Sequence, residues 1–346
     1  MATIGSLVLQ TMTEYALDFY VRGPMVYQTN QDKPLLRFLE GGAKTFPAGK
    51  TNVSLPVKGT VMNDTSGFFA GITFNSQLVF TQMALGVRAI YPWKTQHAGF
   101  VIDHEQLKQD GISVVDGYGE RTSDHGDTLT RLTGILQDAM EDYGESYARA
   151  KNLMYWQDGS QDSSQIPGVK SIVLDDPTTG TVGGLSQATN IWWRSLAATG
   201  LAPSVENQTL SIFYRNQIIQ LKKRGGRPNK ALVGTLHWDA LMQEVQGKGI
   251  YTQSGFNGKT NDIGLQTIAL GGLEFEIDHT LDDLGEAKSA YILDLTHLKL
   301  RPMEGEKDKM VSPARPYDRL VLLKSMLNTG ALVANQLNGM AKNSLA

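Results

Sequence analysis

The sequence predicts an α+β fold, in which long strands, one very long helix and a mixed region follow one another along the chain. Residues 51–61 alternate apolar and polar side chains, as a half-buried strand does, and a second extended run covers 78–93. Apolar residues recur at steps of three and four over 124–157, which indicates one continuous helical stripe. Shorter strand and helix patterns fill 160–295 and complete the α+β prediction.

The composition is that of an ordinary globular protein, with 41% hydrophobic and 19% charged residues among 346. This length is enough for one large or two modest domains. The 32 basic and 35 acidic residues leave no overall electrostatic drive towards nucleic acid or an anionic membrane, so any DNA contact should be local and weak. The sequence contains no cysteine, which excludes disulfides, thiolate zinc sites and cysteine nucleophiles.

The N-terminal region predicts an arm that packs on another structure. Residues 1–43 contain no periodic stretch long enough to form a core, and only 34–40 resemble a short helix. Glu14 and Asp18 interrupt the apolar N-terminal stretch, so neither a signal peptide nor a membrane span is predicted there. We expect no membrane partner, because no later segment has the required uncharged length.

Residues 44–93 predict a protruding hairpin. Its two strands are joined by a tip rich in small and polar residues that also carries Phe68, Phe69 and Phe74. An isolated two-stranded hairpin is only marginally stable in water, and an exposed apolar patch is a liability unless something covers it. We therefore predict that these phenylalanines lie at a subunit interface.

The stripe over 124–157 predicts a spine helix. Asp124 is a suitable N-cap, and Gly159 follows the last periodic residue. At 1.5 Å per residue the helix would be roughly 45 to 50 Å long, so we expect an architectural role for it.

The remaining elements are shorter. We predict strands at 166–173, 231–235, 273–278, 291–301 and 320–333, helices at 204–224 and 237–245, and a hairpin turn at Asn328–Gly330.

No motif in the sequence predicts a catalytic residue, a cofactor or a metal site. The GKT at 258–260 lacks the first glycine of a phosphate-binding loop, because Gln253 stands there. His104 and Glu105 begin like a helical zinc motif, but Lys108 occupies the place of the second histidine. Adjacent Asp175 and Asp176 before a proline are typical of a turn.

Two clusters allow more than one interpretation. Trp192 and Trp193 are large aromatic residues that favour a subunit interface or a core over a stacking site for a sugar or base. The basic run Lys222, Lys223, Arg224 and Arg227 either contacts a nucleic-acid backbone or complements the dipole of the helix that it ends. The sequence leaves these two possibilities balanced.

Several phrases, together with the order of the parts, resemble the major capsid proteins of tailed bacteriophages, which have the Hong Kong 97-like fold. These phrases are PLLRFLEGGAKTFPAGK, HAGFVIDHEQL, IPGVKSIVLDDPTTGTVGGLSQATNIWWRS and AYILDLTHLKLRP. The resemblance covers roughly 34–335. It implies an N-terminal arm (1–43), an extended loop (44–93), a peripheral domain (94–159 and 296–346) with the spine helix at 124–157, and an axial domain (160–295).

The resemblance also implies a function. Such subunits self-assemble into the hexamers and pentamers of an icosahedral virion capsid, built in the bacterial host cytoplasm, that encloses double-stranded DNA. Expected partners are identical copies, a portal protein, possibly a decoration protein and, because no acidic helical leader is present, a separate scaffolding protein. No lysine occurs between Lys58 and Lys94, so we expect no covalent crosslink from the loop.

Three alternatives remain open at this stage. An encapsulin-like compartment of related fold would enclose cargo enzymes instead of DNA. A hydrolase would need Asp103, His104 and Glu105 to converge in one pocket. A lectin-like tail or fibre protein is a third possibility, against which the long helix argues.

Overall fold

The structure, a computed structural model, describes residues 31–59, 69, 71–77, 80, 86–103, 142–247, 268–314 and 321–346. They fall into two compact units. The first unit comprises the described residues within Met1–Gln31, Gln96–Lys151 and Gly305–Asn328. The second unit comprises those within Asp32–Thr95, Asn152–Glu304 and Thr329–Ala346.

Helices and strands alternate irregularly along the chain, which confirms the α+β prediction. The helices are α1 (Pro34–Gly41), α2 (residues 142–156), α3 (Thr209–Lys223), α4 (Thr235–Gly247) and α5 (His279–Asp283), with short 3-10 turns at Val169–Ser171 and Ile191–Trp193. The strands are β1 (Asn52–Val57), β2 (Val87–Pro92), β3 (Lys94–Asp103), β4 (Thr181–Val182), β5 (Leu185–Ser186), β6 (Leu196–Leu201), β7 (Lys230–Val233), β8 (Ile268–Leu270), β9 (Leu273–Ile277), β10 (Ser289–Leu293), β11 (Leu298–Pro302), β12 (Lys309–Ala314), β13 (Val321–Ala334) and β14 (Ala341–Leu345).

A six-stranded sheet forms the centre of the second unit, in the order β6-β14-β10-β7-β9-β8. The pairs β14–β6 and β7–β9 are parallel, and the other neighbours are antiparallel. Every residue of β10 is buried, as expected for a central strand covered on both faces. In β9, Leu273 and Phe275 are buried while Glu274 between them is exposed, which is the alternation that the sequence predicted.

Helices α3 and α4 cover one face of this sheet. Leu210, Tyr214, Ile218 and Leu221 recur at steps of three and four along α3 and are buried. The Tyr214 ring meets the Phe275 ring edge to face at a centroid distance of 5.0 Å. The helical period of the sequence thus supplies the apolar side of the second unit's core.

The first turn of α3 depends on a residue from α4. Gln208 precedes α3 in a left-handed conformation, and its side chain makes no capping hydrogen bond. The fully buried carboxylate of Glu244 accepts hydrogen bonds from the backbone amides of Leu210 and Ser211, both at 3.0 Å, and of Ser204 at 3.1 Å. Because the first amides of a helix have no partner within it, Glu244 acts as the cap that the local sequence lacks.

In the first unit, α2 and the turn before β12 share a buried charge. The Lys151 ammonium lies 2.8 Å from the Asp308 carboxylate, and Tyr147 donates its hydroxyl to the same carboxylate at 2.7 Å. Tyr143 donates to the Ala98 carbonyl at 2.9 Å. Residues 142–156 confirm the C-terminal part of the predicted spine helix; 124–141 lie outside the described residues.

Two local predictions were wrong. The apolar run at 166–173 is not a strand but contains the 3-10 turn Val169–Ser171, because a side chain at Gly168 would overlap the Tyr155 carbonyl and the chain turns tightly there. No hairpin turn occurs at Asn328–Gly330, since β13 runs straight through it. A Cβ on Gly330 would lie only 3.1 Å from the Arg301 carbonyl, so this glycine permits close strand packing instead of a turn.

Substitution of Glu244 should destabilise the subunit. We expect Glu244→Ala to lower the free energy of unfolding by about 2–4 kcal/mol, because it leaves several buried amides of α3 without an acceptor. The control is Glu206→Ala, an exposed carboxylate for which we expect a change within about 0.5 kcal/mol. Equal losses in both variants, measured by denaturant titration of the soluble subunit, would contradict the capping role.

A second prediction concerns acid. His237 is fully buried, its Nδ1 bonds to the Lys288 carbonyl at 2.9 Å, and its Nε2 bonds to the Tyr214 hydroxyl. Burial lowers the pKa of His237, and the hydrogen bond to Lys288 opposes this only in part. The unfolded chain therefore takes up the proton first as the pH falls.

The His237 contribution to stability should accordingly be complete above about pH 6.5 and decline below it, down to the pKa of the folded state. We expect the free energy of unfolding of the unsubstituted subunit to fall between pH 7.5 and about 5.5. His237→Asn should be less stable at pH 7.5 but change less over this range. Parallel curves for the two proteins would exclude His237 as the titrating group.

Candidate functional site

Strands β1 and β2 form the hairpin predicted from the alternation of the sequence. They pair antiparallel from Asn52 opposite Pro92 to Val57 opposite Val87. Val53 and Val57 are buried, so the apolar side of β1 lies within the second unit, to which the hairpin belongs. The predicted strand residues at 60–61 and 81–85 lie outside the described residues.

The root of the hairpin is fixed by three hydrogen bonds. Tyr91 donates its hydroxyl to the Ala334 carbonyl at 2.8 Å, and Trp93 donates its indole N–H to Lys50 at 2.8 Å. The amide of Ile90 donates to the Gly183 carbonyl at 2.8 Å. Burial raises the pKa of Tyr91, so its hydroxyl stays a neutral donor throughout the physiological pH range.

The small hairpin β4–β5 packs against β2. Its turn residues Gly183 and Gly184 have φ angles of +59° and +75°, a combination that suits a tight two-residue turn and favours glycine. A Cβ on Gly183 would lie about 3.1 Å from the Ala89 Cβ and 3.0 Å from the Tyr91 ring. Glycine at position 183 therefore permits both the tight turn and the close approach of β2.

Gly59 follows β1, where the chain continues towards the tip of the hairpin. A side chain at this position would overlap the indole of Trp192, so the backbone rests directly against that ring. Trp192 is half-buried and packs at a centroid distance of 5.8 Å from Trp193.

Trp193 is 2% exposed and donates its indole N–H to the Val182 carbonyl at 3.0 Å. Of the two locations favoured for Trp193, a subunit interface or a core, the structure shows the core of its own chain.

The tip of the hairpin presents aromatic residues to solvent. Phe69 is 92% exposed and Phe74 is fully exposed. Two further apolar residues of the tip, which the sequence pattern did not single out, are also exposed: Ile72 at 67% and Phe80 at 89%. A tight turn follows Thr73, whose carbonyl accepts from the amide and hydroxyl of Ser76 at 3.0 and 2.9 Å. Phe68 lies outside the described residues. The spacing of bulky residues among glycines and threonines was the available signal for Ile72 and Phe80.

A cavity of about 380 Å³ opens at the hairpin root. Its lining includes Lys58, Gly59, Trp192, Arg224, His297 and residues 335–338. None of these described residues carries a carboxylate. Within the described part of the chain, neither the Lys58 ammonium nor the Arg224 guanidinium forms an ion pair. The cavity therefore carries net positive charge.

The basic run ends α3 as predicted. Lys222, Lys223, Arg224 and Arg227 are all exposed. Lys222 and Lys223 lie in the last helical turn, where they complement the helix dipole, and Lys222 also approaches the Gly271 carbonyl at 3.4 Å. Both interpretations of the run are compatible with this exposure, and contact with DNA stays a prediction.

The acidic residues considered for catalysis are used in local structure. Asp175 pairs with Lys342, whereas Asp176 accepts from the Thr178 amide at 2.9 Å. Hydrogen bonds from the Thr178 hydroxyl and amide lower the pKa of Asp176, as expected for a turn. Asp103 ends β3, while His104, Glu105 and the GKT at 258–260 lie outside the described residues.

Glu286 has a similar structural role. Burial acts to raise the pKa of its carboxyl, but hydrogen bonds from Lys170 and Tyr291 and the charge of Lys342 outweigh burial, so the pKa is lowered. The described residues contain no cluster of three metal-ligating side chains, and none of their helices is long and apolar enough to cross a membrane.

Comparison with known proteins shows similarity in structure only. No protein-family model and no curated protein matches the sequence. The solved "Cyanophage A-1(L) capsid asymmetric unit" matches with a TM-score of 0.62 and 14% identity, over 94% of this chain and 96% of that chain. The capsid of Myoviridae phage XM1 matches at 0.55 and 10%, and the capsid of a native GTA particle at 0.54 and 13%, each over 94% of this chain and 96% of the other. These matches confirm the predicted Hong Kong 97-like fold.

The contact between Gly59 and Trp192 predicts how the hairpin root responds to substitution. We expect Gly59→Ala to lower the free energy of unfolding by about 1–3 kcal/mol, because the added methyl forces the root off the indole. The same change in a Trp192→Ala background should cost much less, since the obstacle is gone. Both are measured by denaturant titration and by the rate of proteolysis within the hairpin.

The matched control is Gly71→Ala at the tip, where a Cβ would meet nothing within 4 Å. We expect its effect to stay within about 0.5 kcal/mol. An additive cost of Gly59→Ala in both backgrounds would show that the indole does not set the position of the root.

Proposed function

We propose that this chain is the major capsid protein of a tailed phage, which self-assembles into the hexamers and pentamers of an icosahedral shell around double-stranded DNA. The observation that carries this proposal is a hairpin whose root is fixed in the second unit and whose tip exposes Phe69, Ile72, Phe74 and Phe80. Four large apolar side chains exposed within twelve positions of the sequence are of the kind that mark protein interaction sites.

The energetics support burial of the tip by another molecule. Full burial of a phenylalanine or isoleucine side chain contributes roughly 1.5 to 3 kcal/mol, so a tip with four such residues represents a substantial association free energy. Each exposed tip on one copy needs a surface on the next, and a shell of identical copies repeats this contact around the particle. Subunit folding and assembly are then linked, since neighbours stabilise a loop that the isolated chain leaves uncovered.

The structural neighbours favour a viral shell over the other candidates. They are phage capsids and the capsid of a GTA particle, and each likeness extends over nearly the whole of both chains. An encapsulin-like compartment has no such support here.

In this proposal the parts have the roles implied by the sequence: an arm at 1–43, an extended loop at 44–93, a peripheral domain at 94–159 and 296–346, and an axial domain at 160–295. The exposed cations Lys222, Lys223, Arg224 and Arg227 would make weak contact with packaged DNA. Assembly would take place in the host cytoplasm with a scaffolding protein, a portal protein and possibly a decoration protein. The mature shell would lack covalent crosslinks from the loop, which has no lysine between Lys58 and Lys94.

Charge at the tip should block assembly and leave the subunit intact. We expect purified unsubstituted protein to form closed shells by negative-stain electron microscopy, and Phe69→Asp with Phe74→Asp to yield soluble subunits only. A buried carboxylate without a partner costs several kcal/mol at each contact.

Phe69→Leu with Phe74→Leu is the control, because it keeps the tip apolar and should still assemble. Circular dichroism and thermal melting of the isolated subunits should not distinguish the aspartate variant from the leucine variant, since both side chains lie in solvent. Normal shells from the aspartate variant would reject the role of the tip.

A further inference from the structure

We infer that the cavity at the hairpin root is an intersubunit site that receives the acidic turn Glu304–Gly305–Glu306 of a second copy of this chain. The inference rests on the proposed function and adds a specific polar contact to it. The aromatic tip and this cavity are separate surfaces, so they can be tested independently.

The cavity is built to receive negative charge. Lys58 and Arg224 both line it, and both are exposed without an ion pair within the described part of the chain. A concave site lined by one sign of charge focuses the electric field and attracts the opposite charge. Because none of the described lining residues carries a carboxylate, the positive charge has no counterion within this lining.

The other lining groups suit a peptide segment. Asn335, Gln336 and Asn338 contribute side-chain amides, which both donate and accept, whereas a phosphodiester only accepts. The side chains of Gln336 and Asn338 are themselves held by the Gly225 and Arg224 carbonyls at 3.0 and 3.2 Å. A concave volume of about 380 Å³ accepts a tight turn with its side chains, while duplex DNA presents a broad convex backbone.

The turn after β11 offers the complementary charge. Glu304 is exposed and Glu306 half-buried, and neither carboxylate forms an ion pair among the described residues. Gly305 between them has a φ of +78°, which suits a tight turn. The turn is held in place because the Glu304 amide donates to the Phe46 carbonyl at 3.0 Å and Phe46 bridges to Met303.

Other free carboxylates fit less well. Asp142 and Glu206 are also exposed without an ion pair in the described part of the chain, but each stands alone. Only the turn at 304–306 places two unpaired carboxylates within three described residues, matching the two unpaired cations of the cavity.

Such a contact joins different surfaces of successive copies. The turn does not line the cavity of its own chain, so a second copy must supply it. Made head to tail, this contact generates a ring when the rotation between copies closes. This is the type of contact that hexamers and pentamers require, which is why the inference deepens the proposed function.

A charge-exchange experiment tests it in the full chain. A cation-reversed variant carries Lys58→Glu and Arg224→Glu, and an acid-reversed variant carries Glu304→Lys and Glu306→Lys. We expect each alone to lose assembly by about ten-fold or more in shell yield, because every contact then joins like charges. Mixing the two should restore rings with even numbers of subunits, since each copy then finds a complementary neighbour. One chain carrying all four changes should assemble alone.

Glu206→Lys is the matched control, an exposed unpaired acid outside the turn, and it should assemble like the unsubstituted chain. Thermal melting confirms that each variant is folded. Normal shells from both reversed variants, or a mixture that does not recover, would overturn the inference while shells of unsubstituted protein still supported the proposed function. If the cation-reversed variant assembled normally but retained less DNA, the cavity would be a DNA site. Failure of the unsubstituted chain to form any shell would instead reject the proposed function.

Discussion

The hairpin root packs against the rest of the second unit, and the position of the exposed tip depends on this contact. Tyr91 reaches the Ala334 carbonyl, and Gly59 lies against Trp192, so the residues on either side of the tip start from a fixed place. Two strands alone would be marginally stable, and a loosely held hairpin would lose much of any binding energy at its tip to ordering entropy. A fixed root lets a projecting loop present its aromatic residues at little additional cost.

The sequence pattern predicted those strands and helices that bury only one side, because their buried residues then recur with the period of the strand or helix. The alternation in β1 and β9 and the helical spacing in α3 reported which side is buried, and this held in the structure. The pattern failed at Gly168 and Gly330 for a common reason. Each glycine is required by a distant backbone carbonyl, that of Tyr155 or Arg301, and nothing in the neighbouring sequence identifies that partner.

The candidate sites divide in the same way. Phe69 and Phe74 could be predicted because a tip between two strands is exposed whatever the rest of the chain does. Trp192 and Trp193 could not be told apart, since only the fold decides which of two adjacent rings enters the core. The cavity was beyond prediction because its residues come from five separate segments, and only long-range pairing brings Lys58 and Arg224 to one opening.

The groups that have partners within the chain, and those that do not, indicate which surfaces are available to bind another molecule. Three carboxylates bind groups of their own chain. Asp176 accepts a hydrogen bond in a turn, Glu244 caps the first turn of α3, and Glu286 binds lysine and tyrosine partners. Among the described residues, the cations of the cavity and the carboxylates of Glu304 and Glu306 form no ion pair, and the apolar residues of the tip are exposed. A chain that leaves cations, carboxylates and apolar side chains open at its surface is physically suited to binding copies of itself.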